Sequence, residues 1–382
     1  IPIDLQYATT VDARKLINLP APQCADPTAM ELALTTINGA RKRVILAGGG
    51  VALSGASDEL KALADKLDAP ILTTPNGKGA VRDDDPLYLG PVLMSAQMLA
   101  ALSEADLLIA VGTRFQAGVA GRQIDVPLPP IVHIDADPRN INLNYKAAVG
   151  LVGDAKLVIA SLTQGIDAAG DAQYREKLQT VAEDVKDNNR QRIGPDHCSV
   201  LDSLSRYMDR DAYFVRDNTI AGYYWGNGLL PISKPGGYIF PTSGAIGPGL
   251  ALGMGVAQAT GVKTIIMHGD GGFMYHVGEL ATAAQYQMPI VIIIFNDGGY
   301  GVLRGLQSKQ FGRINETELF TPDFVRLAES MGVKGLYAND VGEFDVRLSQ
   351  AMQASGPVLI ELNVRNMQPL EGIVPAPSIA DG

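Results

Sequence analysis

Residues 263 to 301 read "KTIIMHGDGGFMYHVGELATAAQYQMPIVIIIFNDGGYG" and contain two apolar runs, each of which ends at an acidic residue among glycines. The runs at 264–267 and 290–295 have the length and β-branched content of buried strands, and the segment between them has helical spacing. A strand, a helix and a second strand in this order form a right-handed unit of a parallel sheet. The stretch therefore predicts an α/β fold built on parallel strands.

The same alternation of strand and helix patterns runs through most of the chain and divides it into four parts. Residues 1–28 have the pattern of a closing strand and a Pro-rich linker. A first alternating series covers 29–165, a polar segment with helical spacing covers 166–195, and a second series covers 196–382 and ends with the helix and strand patterns "TPDFVRLAESMG" and "GPVLIELNV". The sequence predicts two doubly wound parallel-sheet domains joined by a helical connector.

Composition narrows the classes of function. The chain has 382 residues, of which 46% are hydrophobic and 19% charged, as in globular α/β proteins. Its net charge of −10 argues against a nucleic-acid surface. Its apolar runs are too short to span a bilayer, and Cys24 and Cys198 lack metal-site spacing. We expect a cytoplasmic protein that binds small molecules, without nucleic-acid or membrane partners.

The acidic residues at the ends of the two quoted strands indicate a metal-bound diphosphate. Asp270 follows the first strand, and Asn296 and Asp297 follow the second. Because the carboxyl ends of neighbouring parallel strands open on one edge, these loops should face one another across a cleft. Carboxylate and amide oxygens suit Mg²⁺, and the glycines let backbone N–H groups approach a phosphate. The alternative is two ordinary tight turns, since Gly, Asp and Asn dominate turns.

These motifs resemble the thiamin-diphosphate-dependent superfamily of acetolactate synthase, pyruvate decarboxylase and benzoylformate decarboxylase. Its signature is Gly-Asp-Gly followed about 26 residues later by Asn. Here the triplet is 269–271, and the second position is Asp297. The resemblance implies that Asp270, the side chain of Asp297 and the carbonyl of Gly299 bind Mg²⁺. Asp in place of Asn adds a negative charge, and Asn296 is the alternative ligand.

The resemblance also extends to the segments expected to contact the cofactor. "SGAIGPGLALGMG" is similar to the loop in which Ile246 would hold thiamin diphosphate in a bent shape and the carbonyl of Gly244 would accept from its aminopyrimidine. "FVRDNTIAGYYWGN" resembles a segment that contacts the diphosphate. The remaining cofactor-binding residues that the resemblance implies are Thr219, Ile220, Ala221, Gly269, Gly271, Gly272 and Phe273.

The first predicted domain resembles the central domain of the same superfamily through "ILAGGGVALSGASDEL", "LLIAVGTRFQAGVAGR" and "IVHIDADPRNINLNY". In acetolactate synthases that domain holds FAD, which here would bring in Gly49, Gly50 and Arg114. "GGGVALSG" lacks the spacing of a dinucleotide loop. FAD is therefore considered but not favoured.

The resemblance implies decarboxylation of a 2-oxo acid and/or carboligation through an ylid and an enamine. Substrate-pocket positions of the family fall on Val302, Arg304 and Leu306, where Leu306 replaces a Trp of acetolactate synthases. Arg304 can instead form a salt bridge. Two other functions stay open: a thiamin-diphosphate C–C lyase acting on acyloins or hydroxyacyl compounds, and a non-catalytic binding or regulatory subunit.

In this superfamily a Glu of an N-terminal pyrimidine-binding domain activates the cofactor. The segment "IPIDLQ" resembles the closing strand of that domain, so we expect that roughly 180 residues precede Ile1 in the family pattern. The activating Glu is then absent from this sequence, and no catalytic residue is assigned. One expected partner is that pyrimidine-binding domain, either as a separate polypeptide or as a piece cleaved from this one; the alternative is that the chain is an inactive remnant. The other expected partners are further copies of this chain, in a homodimer or homotetramer.

Three remaining residues invite a functional interpretation. His268 and His276 flank the first acidic loop and could be proton shuttles. We favour structural roles, because a His at a strand end or in a helix commonly satisfies a local hydrogen bond. Trp225 is expected in the core.

Overall fold

A computed structural model describes residues 3, 4, 8, 21–116, 127–167, 169–208 and 212–370. The predicted strand near the amino terminus, most of the linker and the tail after Leu370 lie outside this range. None of the helices in the described part is long and apolar enough to cross a membrane.

The first half of the chain forms a six-stranded sheet in which all neighbouring strands are parallel. Its strands are β1 (Arg43–Ala47), β2 (Ile71–Thr73), β3 (Tyr88–Gly90), β4 (Leu107–Val111), β5 (Ile131–Asp135) and β6 (Val149–Val152). They lie in the order β3-β2-β1-β4-β5-β6. The order reverses between β1 and β4, which is where doubly wound sheets bind ligands.

The second half forms another all-parallel six-stranded sheet with a different order. Its strands are β7 (Tyr213–Arg216), β8 (Tyr238–Ile239), β9 (Thr264–Gly269), β10 (Ile290–Asn296), β11 (Lys334–Ala338) and β12 (Val358–Asn363). The order is β11-β12-β10-β9-β7-β8, which reverses between β7 and β9. Phe295 pairs with Gly269, so the two acidic loops leave the sheet side by side, as the sequence predicts.

Helices cover both faces of the two sheets and make each central strand buried. The helices are α1 (Pro27–Gly39), α2 (Gly49–Ser54), α3 (Ser57–Leu67), α4 (Ala96–Leu102), α5 (Ala155–Gly165), α6 (Ala172–Ser205), α7 (Gly249–Thr260), α8 (Asp270–Phe273), α9 (Glu279–Gln285), α10 (Gly301–Phe311), α11 (Phe324–Ser330) and α12 (Val341–Gln353). Buried strands such as β10, with six consecutive buried residues, read as continuous apolar runs for this reason. The two-domain α/β fold class is confirmed.

The expected helical connector is the first part of α6, which continues after a break. Gly194 has φ 75° and ψ 172°, and Pro195 follows it, so the helix changes direction there. Leu178 and Val185 before the break pack in the core of the first sheet, whereas Val200 and Leu204 after it pack in that of the second. One element thus anchors both halves, and the exact domain limits stay a prediction.

A second link between the halves is Lys78, which follows β2 and is 2% exposed. Its Nζ donates hydrogen bonds to the carbonyls of Gly226 (2.9 Å) and Leu230 (2.7 Å) and lies 4.6 Å from the centre of the Tyr238 ring. Burial lowers the pKa of Lys78 to about 7, which the charge of Asp83 partly opposes. The contact ties the first half to the π-helical turn at 222–226.

The sequence interpretation omitted seven regular elements of the described part of the chain. These are α2, β3, β8, α8, α10, β11 and α12. The strands β3 and β11 are short, and β11 is only partly buried, so neither has the apolar run that marks a central strand. The second half therefore ends on two helix and strand pairs instead of the single pair that the sequence indicated.

Candidate functional site

Four loops meet at the carboxyl edge of the second sheet. They follow β7 (217–221), precede α7 (244–249), follow β9 (269–273) and follow β10 (296–301). A Cβ at Gly301 would lie 2.5 Å from Cδ1 of Ile220, and one at Gly272 would lie 3.6 Å from the nitrogen of Gly247. The loops are therefore in contact around one crevice, at the point where the strand order reverses.

Asp217 joins two of these loops from beneath the crevice. Its side chain is fully buried, Oδ1 accepts from the backbone N–H of Gly247 (3.0 Å) and Oδ2 from that of Gly249 (2.8 Å). Asn218 adds a hydrogen bond from Nδ2 to the carbonyl of Ala245 at 2.6 Å. Charge-assisted bonds to buried N–H groups are strong, so the loop at 244–249 is held in one conformation.

Asp270 occupies the centre of the crevice. It is 1% exposed, and its Oδ2 has no hydrogen-bond partner among the described residues. Burial raises the pKa of Asp270 and the neighbouring carboxylate of Asp297 raises it further, while the N–H groups of the adjacent glycines oppose this. Burial also raises the pKa of Asp297. A buried carboxylate whose charge is disfavoured by burial and by a second carboxylate is an arrangement that a cation would stabilise.

The residues present fit a divalent cation with oxygen ligands. The unpartnered Oδ2 of Asp270 and the carboxylate of Asp297 are both oxygen donors of the kind Mg²⁺ prefers. No cluster of three or more His, Cys, Asp or Glu side chains suited to a metal occurs in the described ranges. A site here needs a third ligand from the backbone, and the sequence pattern names the carbonyl of Gly299 for it.

Asn296 points elsewhere. Its Nδ2 donates to Oε1 of Glu361 at 2.8 Å, and its Oδ1 accepts from the N–H of Gly298 at 3.1 Å. Both ends of the amide are therefore engaged in shaping the turn after β10. The structure therefore does not direct the side chain of Asn296, the alternative metal ligand, towards Asp270.

Tight clearances explain the glycines of the two acidic loops. A Cβ at Gly271 would lie 2.7 Å from the ring of Tyr300, and one at Gly299 would overlap the carbonyl of Thr317. At Gly269 the nearest atom to such a Cβ, in Thr219, is 4.0 Å away. The backbone is thus packed from below at 271 and 299 and open at 269, which suits the approach of a diphosphate to main-chain N–H groups.

The predicted cofactor-contacting residues lie around the same crevice. Thr219 is 5% exposed, and its Oγ1 accepts from the N–H of Gly222 at 3.1 Å, which caps the π-helical turn. Ala221 is buried in that turn, and Ile220 is half-buried. Phe273 is fully buried and stacks edge-on against Phe324. Thr219 and Phe273 therefore have structural contacts that account for them independently of any ligand.

Ile246 lies between two glycines with left-handed backbone. Gly244 has φ 78° and Gly247 has φ 103°, conformations that other residues rarely adopt. Ile246 is half-buried although its neighbour Ala245 is exposed. The loop thus presents one partly uncovered aliphatic side chain next to Gly247, whose N–H donates to Asp217.

The predicted substrate-pocket residues separate into two groups. Val302 is half-buried and Leu306 is 47% exposed, and they share one face of α10 because they are four residues apart. Arg304 faces the other way and is 1% exposed. Its Nη1 donates to Oδ2 of Asp297 at 3.3 Å, and its Nε and Nη2 donate to the two carboxylate oxygens of Glu318 at 2.9 and 3.1 Å.

His276 makes the local hydrogen bond that the sequence predicts, whereas neither ring nitrogen of His268 has a hydrogen-bond partner among the described residues. His276 makes a 3.1 Å hydrogen bond through Nδ1 with the carbonyl of Gly247. His268 is fully buried 3.7 Å from Asp217, and burial lowers its pKa. Trp225 is fully buried and donates from Nε1 to His197 at 3.2 Å, as expected for a core residue.

The positions considered for FAD surround the reversal point of the first sheet. A Cβ at Gly50 would lie 2.6 Å from Cα of Gly112, and one at Gly49 would lie 3.2 Å from Asn76. Arg114 is exposed. The glycines are accounted for by close packing of one chain segment on another, so they carry no argument for a flavin.

Sequence reasoning missed Asp217 and Glu318. Asp217 follows β7 in "FVRDN" directly, so the signal that identified Asp270, an acid at the end of a buried strand, was available for it too. Glu318 lies in "NETEL", which has no motif or periodicity. It reaches the site only because residues 317–319 lie against the turn after β10, where Gly299 and Glu318 form an antiparallel bridge.

Comparison with known proteins agrees with this geometry. Residues 30–162 match the model of the thiamine pyrophosphate enzyme central domain, and residues 222–362 match that of the C-terminal TPP binding domain. The chain is 32% identical over 372 residues to a probable acetolactate synthase large subunit of Methanocaldococcus jannaschii, covering 91% of this chain and 62% of that protein.

Two further relatives have similar coverage. A probable 2-ketoarginine decarboxylase of Pseudomonas aeruginosa is 30% identical, with 87% of this chain and 60% of the relative aligned. The acetolactate synthase isozyme 2 large subunit of Escherichia coli is 29% identical, with 91% and 64% aligned. The chain spans about three fifths of the length of these relatives. The two domain matches together span most of the chain, which therefore belongs to the thiamine pyrophosphate enzyme family.

Proposed function

We propose that the crevice of the second sheet binds thiamin diphosphate through Mg²⁺ and that the protein uses it to decarboxylate a 2-oxo acid and/or to ligate the product to a second carbonyl compound. The observation that carries the proposal is the unpartnered oxygen of Asp270, buried beside the carboxylate of Asp297 at the reversal point of the sheet. A buried acid of this kind is stabilised by a cation. The family and the name of the Pseudomonas relative support the choice of chemistry.

Within this proposal the residues of the chain bind and orient the cation and the cofactor. Asp270, Asp297 and the carbonyl of Gly299 would hold the cation, and the 269–272 and 219–221 segments would supply main-chain N–H groups for the diphosphate. Asp217 fixes the loop that carries Gly244 and Ile246, which support the rest of the cofactor. When bound, thiamin diphosphate supplies a nucleophilic carbon and an electron sink for the 2-oxo acid. None of the residues described above is assigned the role of activating that carbon.

Binding of the cofactor is the first test. Isothermal titration calorimetry of the purified chain with thiamin diphosphate is expected to show saturable binding that requires Mg²⁺ and is abolished by EDTA. Because the proposed contact to the diphosphate passes through the cation, binding that is independent of divalent cations would contradict it.

The reaction is tested separately by mixing the chain with thiamin diphosphate, Mg²⁺, a candidate pyrimidine-binding domain and a panel of 2-oxo acids of different side chains. Release of CO₂ that depends on both thiamin diphosphate and Mg²⁺ supports the proposal. Formation of an aldehyde from an acyloin without CO₂ would replace it with a C–C lyase. Binding of the cofactor without turnover of any substrate would leave a non-catalytic binding subunit.

We also propose that the protein forms a homodimer or homotetramer. Large apolar side chains on and after α10, next to the crevice, are open to solvent: Leu303, Leu306, Phe311 and Phe320 are 46 to 95% exposed. Contiguous exposed apolar side chains favour burial in an interface. Light scattering at micromolar concentration with cofactor and Mg²⁺ is expected to give at least a dimer, and a monomer under these conditions would contradict the proposal.

A further inference from the structure

Arg304 is the only Arg among the described residues that bonds to a proposed metal ligand. Its guanidinium is 1% exposed and lies 3.3 Å from Oδ2 of Asp297. We propose that Arg304, held in place by Glu318, offsets the additional negative charge of Asp297. As a result, the site prefers a divalent cation together with an anionic diphosphate over the cation alone. This inference rests on the proposed function of the same crevice.

The geometry shows that Arg304 is fixed and not free to turn away. Its Nε and Nη2 form a two-bond fork with the carboxylate of Glu318, and the third nitrogen, Nη1, is left for Asp297. A planar guanidinium can make these contacts at once, whereas an ammonium cannot. The orientation of the cation towards Asp297 is therefore determined by Glu318.

Glu318 is in turn fixed by backbone contacts with the turn after β10. The N–H of Tyr300 donates to the carbonyl of Thr317 at 2.8 Å, and that of Leu319 donates to the carbonyl of Gly298 at 3.1 Å. Segment 317–319 thus runs antiparallel to 298–300, with Glu318 opposite Gly299. The turn that offers the carbonyl of Gly299 and the residue that positions Arg304 form one unit.

The net charge of the crevice explains the effect of placing Arg304 and Glu318 beside Asp297. Asp270 and Asp297 with Arg304 leave one net negative charge, as one carboxylate and a neutral amide would. Without Arg304 the carboxylates of Asp270 and Asp297, of which the second is 19% exposed, would have no positive charge beside them and would attract a cation more strongly but repel a diphosphate. Glu318 is 39% exposed, so solvent screens its charge more than that of Arg304.

The test measures two affinities whose expected changes have opposite signs. The probes are Mn²⁺ alone, followed by electron paramagnetic resonance, and thiamin diphosphate in saturating Mg²⁺, followed by calorimetry. In Arg304→Gln we expect Mn²⁺ alone to bind about tenfold more tightly and thiamin diphosphate about tenfold more weakly, from the loss of one positive charge at contact distance. A purely structural loss would weaken both.

A compensating variant sharpens the test. In Asp297→Asn with Arg304→Gln, both affinities should return to within about threefold of the wild type, because the net charge is restored. Arg304→Lys keeps the charge and loses the fork to Glu318, so its affinity for Mn²⁺ alone should stay near that of the wild type. Arg326→Gln is the control, because Arg326 is 87% exposed and pairs with Asp323 outside the crevice.

The outcomes separate this inference from the proposed function. If Arg304→Gln weakens both ligands equally, or changes neither, the charge-offset role is wrong while binding by the wild type upholds the site. If the wild type binds neither probe, the proposed function is wrong and this inference falls with it. Should Arg304→Gln fail to fold, the double variant is compared with Asp297→Asn alone. The double variant should bind Mn²⁺ about tenfold more tightly, and equal affinities would overturn the inference.

Discussion

The two sheets reverse their strand order at corresponding places, between β1 and β4 in the first and between β7 and β9 in the second. In the first, Gly50 and Gly112 pack backbone on backbone, with the N–H of Gly50 donating to the carbonyl of Gly112 at 3.0 Å. In the second, Asp217 and Asp270 are buried, and Oδ2 of Asp270 has no hydrogen-bond partner among the described residues. One reversal point is filled by the chain itself, whereas the other contains a buried carboxylate oxygen that no described residue partners.

The difference teaches that a doubly wound sheet supplies a position for a site without supplying its chemistry. Glycines occur at both reversal points, and at both they allow neighbouring loops to touch, at Gly50 and Gly112 in the first and at Gly301 and Ile220 in the second. The second reversal point differs in having the unpartnered Oδ2 of Asp270, because a buried carboxylate oxygen costs free energy unless something binds it.

The largest expected effect comes from adding a methyl group at the closely packed first reversal point. Gly50→Ala places a methyl group 2.6 Å from Cα of Gly112 and should lower the free energy of unfolding by about 3 kcal/mol, as overpacking does. Chemical denaturation measures this. Gly39→Ala, where a Cβ meets no atom within 4 Å, is the control and should be close to neutral. Folding as stable as the wild type in Gly50→Ala would contradict the close packing.

The next effect concerns the second reversal point. Asp270→Asn should weaken binding of thiamin diphosphate in Mg²⁺ by about 100-fold, or about 2.7 kcal/mol, because a charged ligand of the cation is lost. The melting temperature without ligands should not fall, since a buried charge is removed. Calorimetry and thermal unfolding test the two statements. Asp135→Asn, at the end of β5, is the matched change in the first sheet and should leave cofactor affinity unaltered.

A smaller expected effect is the pH dependence of stability that comes from Lys78, which links the two halves. Its pKa in the folded protein is about 7, below the 10.5 of the unfolded chain, so the unfolded state binds more protons between these values. Stability should therefore rise with pH across that window, by about 2 kcal/mol from pH 7 to pH 9.

Lys78→Gln, which keeps a donor for the carbonyls of Gly226 and Leu230, should remove this part of the pH dependence. Urea denaturation at several pH values gives the measurement. Lys334→Gln, at an exposed position, should retain the wild-type slope. Equal slopes in the wild type and Lys78→Gln would show that Lys78 has an ordinary pKa.

The smallest expected effect concerns the loop at 244–249. Asp217→Asn keeps one acceptor and loses the charge that holds the N–H groups of Gly247 and Gly249. Cofactor affinity should fall about tenfold, because the loop is less well oriented before binding. Calorimetry tests this, and an unchanged affinity would mean that Asp217 stabilises the fold without preparing the crevice.

Much of the fold was readable because central strands are marked by continuous apolar runs. The strands β9 and β10 are buried along almost their whole length, and their sequences "TIIMH" and "IVIIIF" show it. The edge strands β3 and β11 were missed because short or partly exposed strands have no such run. Their place in the sheet is decided by pairing with β2 and β12.

The sequence by itself determined that two acidic residues follow neighbouring parallel strands, and hence that Asp270 and Asp297 meet. This follows because strand register and crossover handedness are set by local patterns. Only the tertiary structure decided that Arg304 turns to Asp297, that Asn296 turns to Glu361, and that Glu318 reaches the crevice. These contacts join segments with no common periodicity, and side-chain packing between such segments leaves no pattern in the chain.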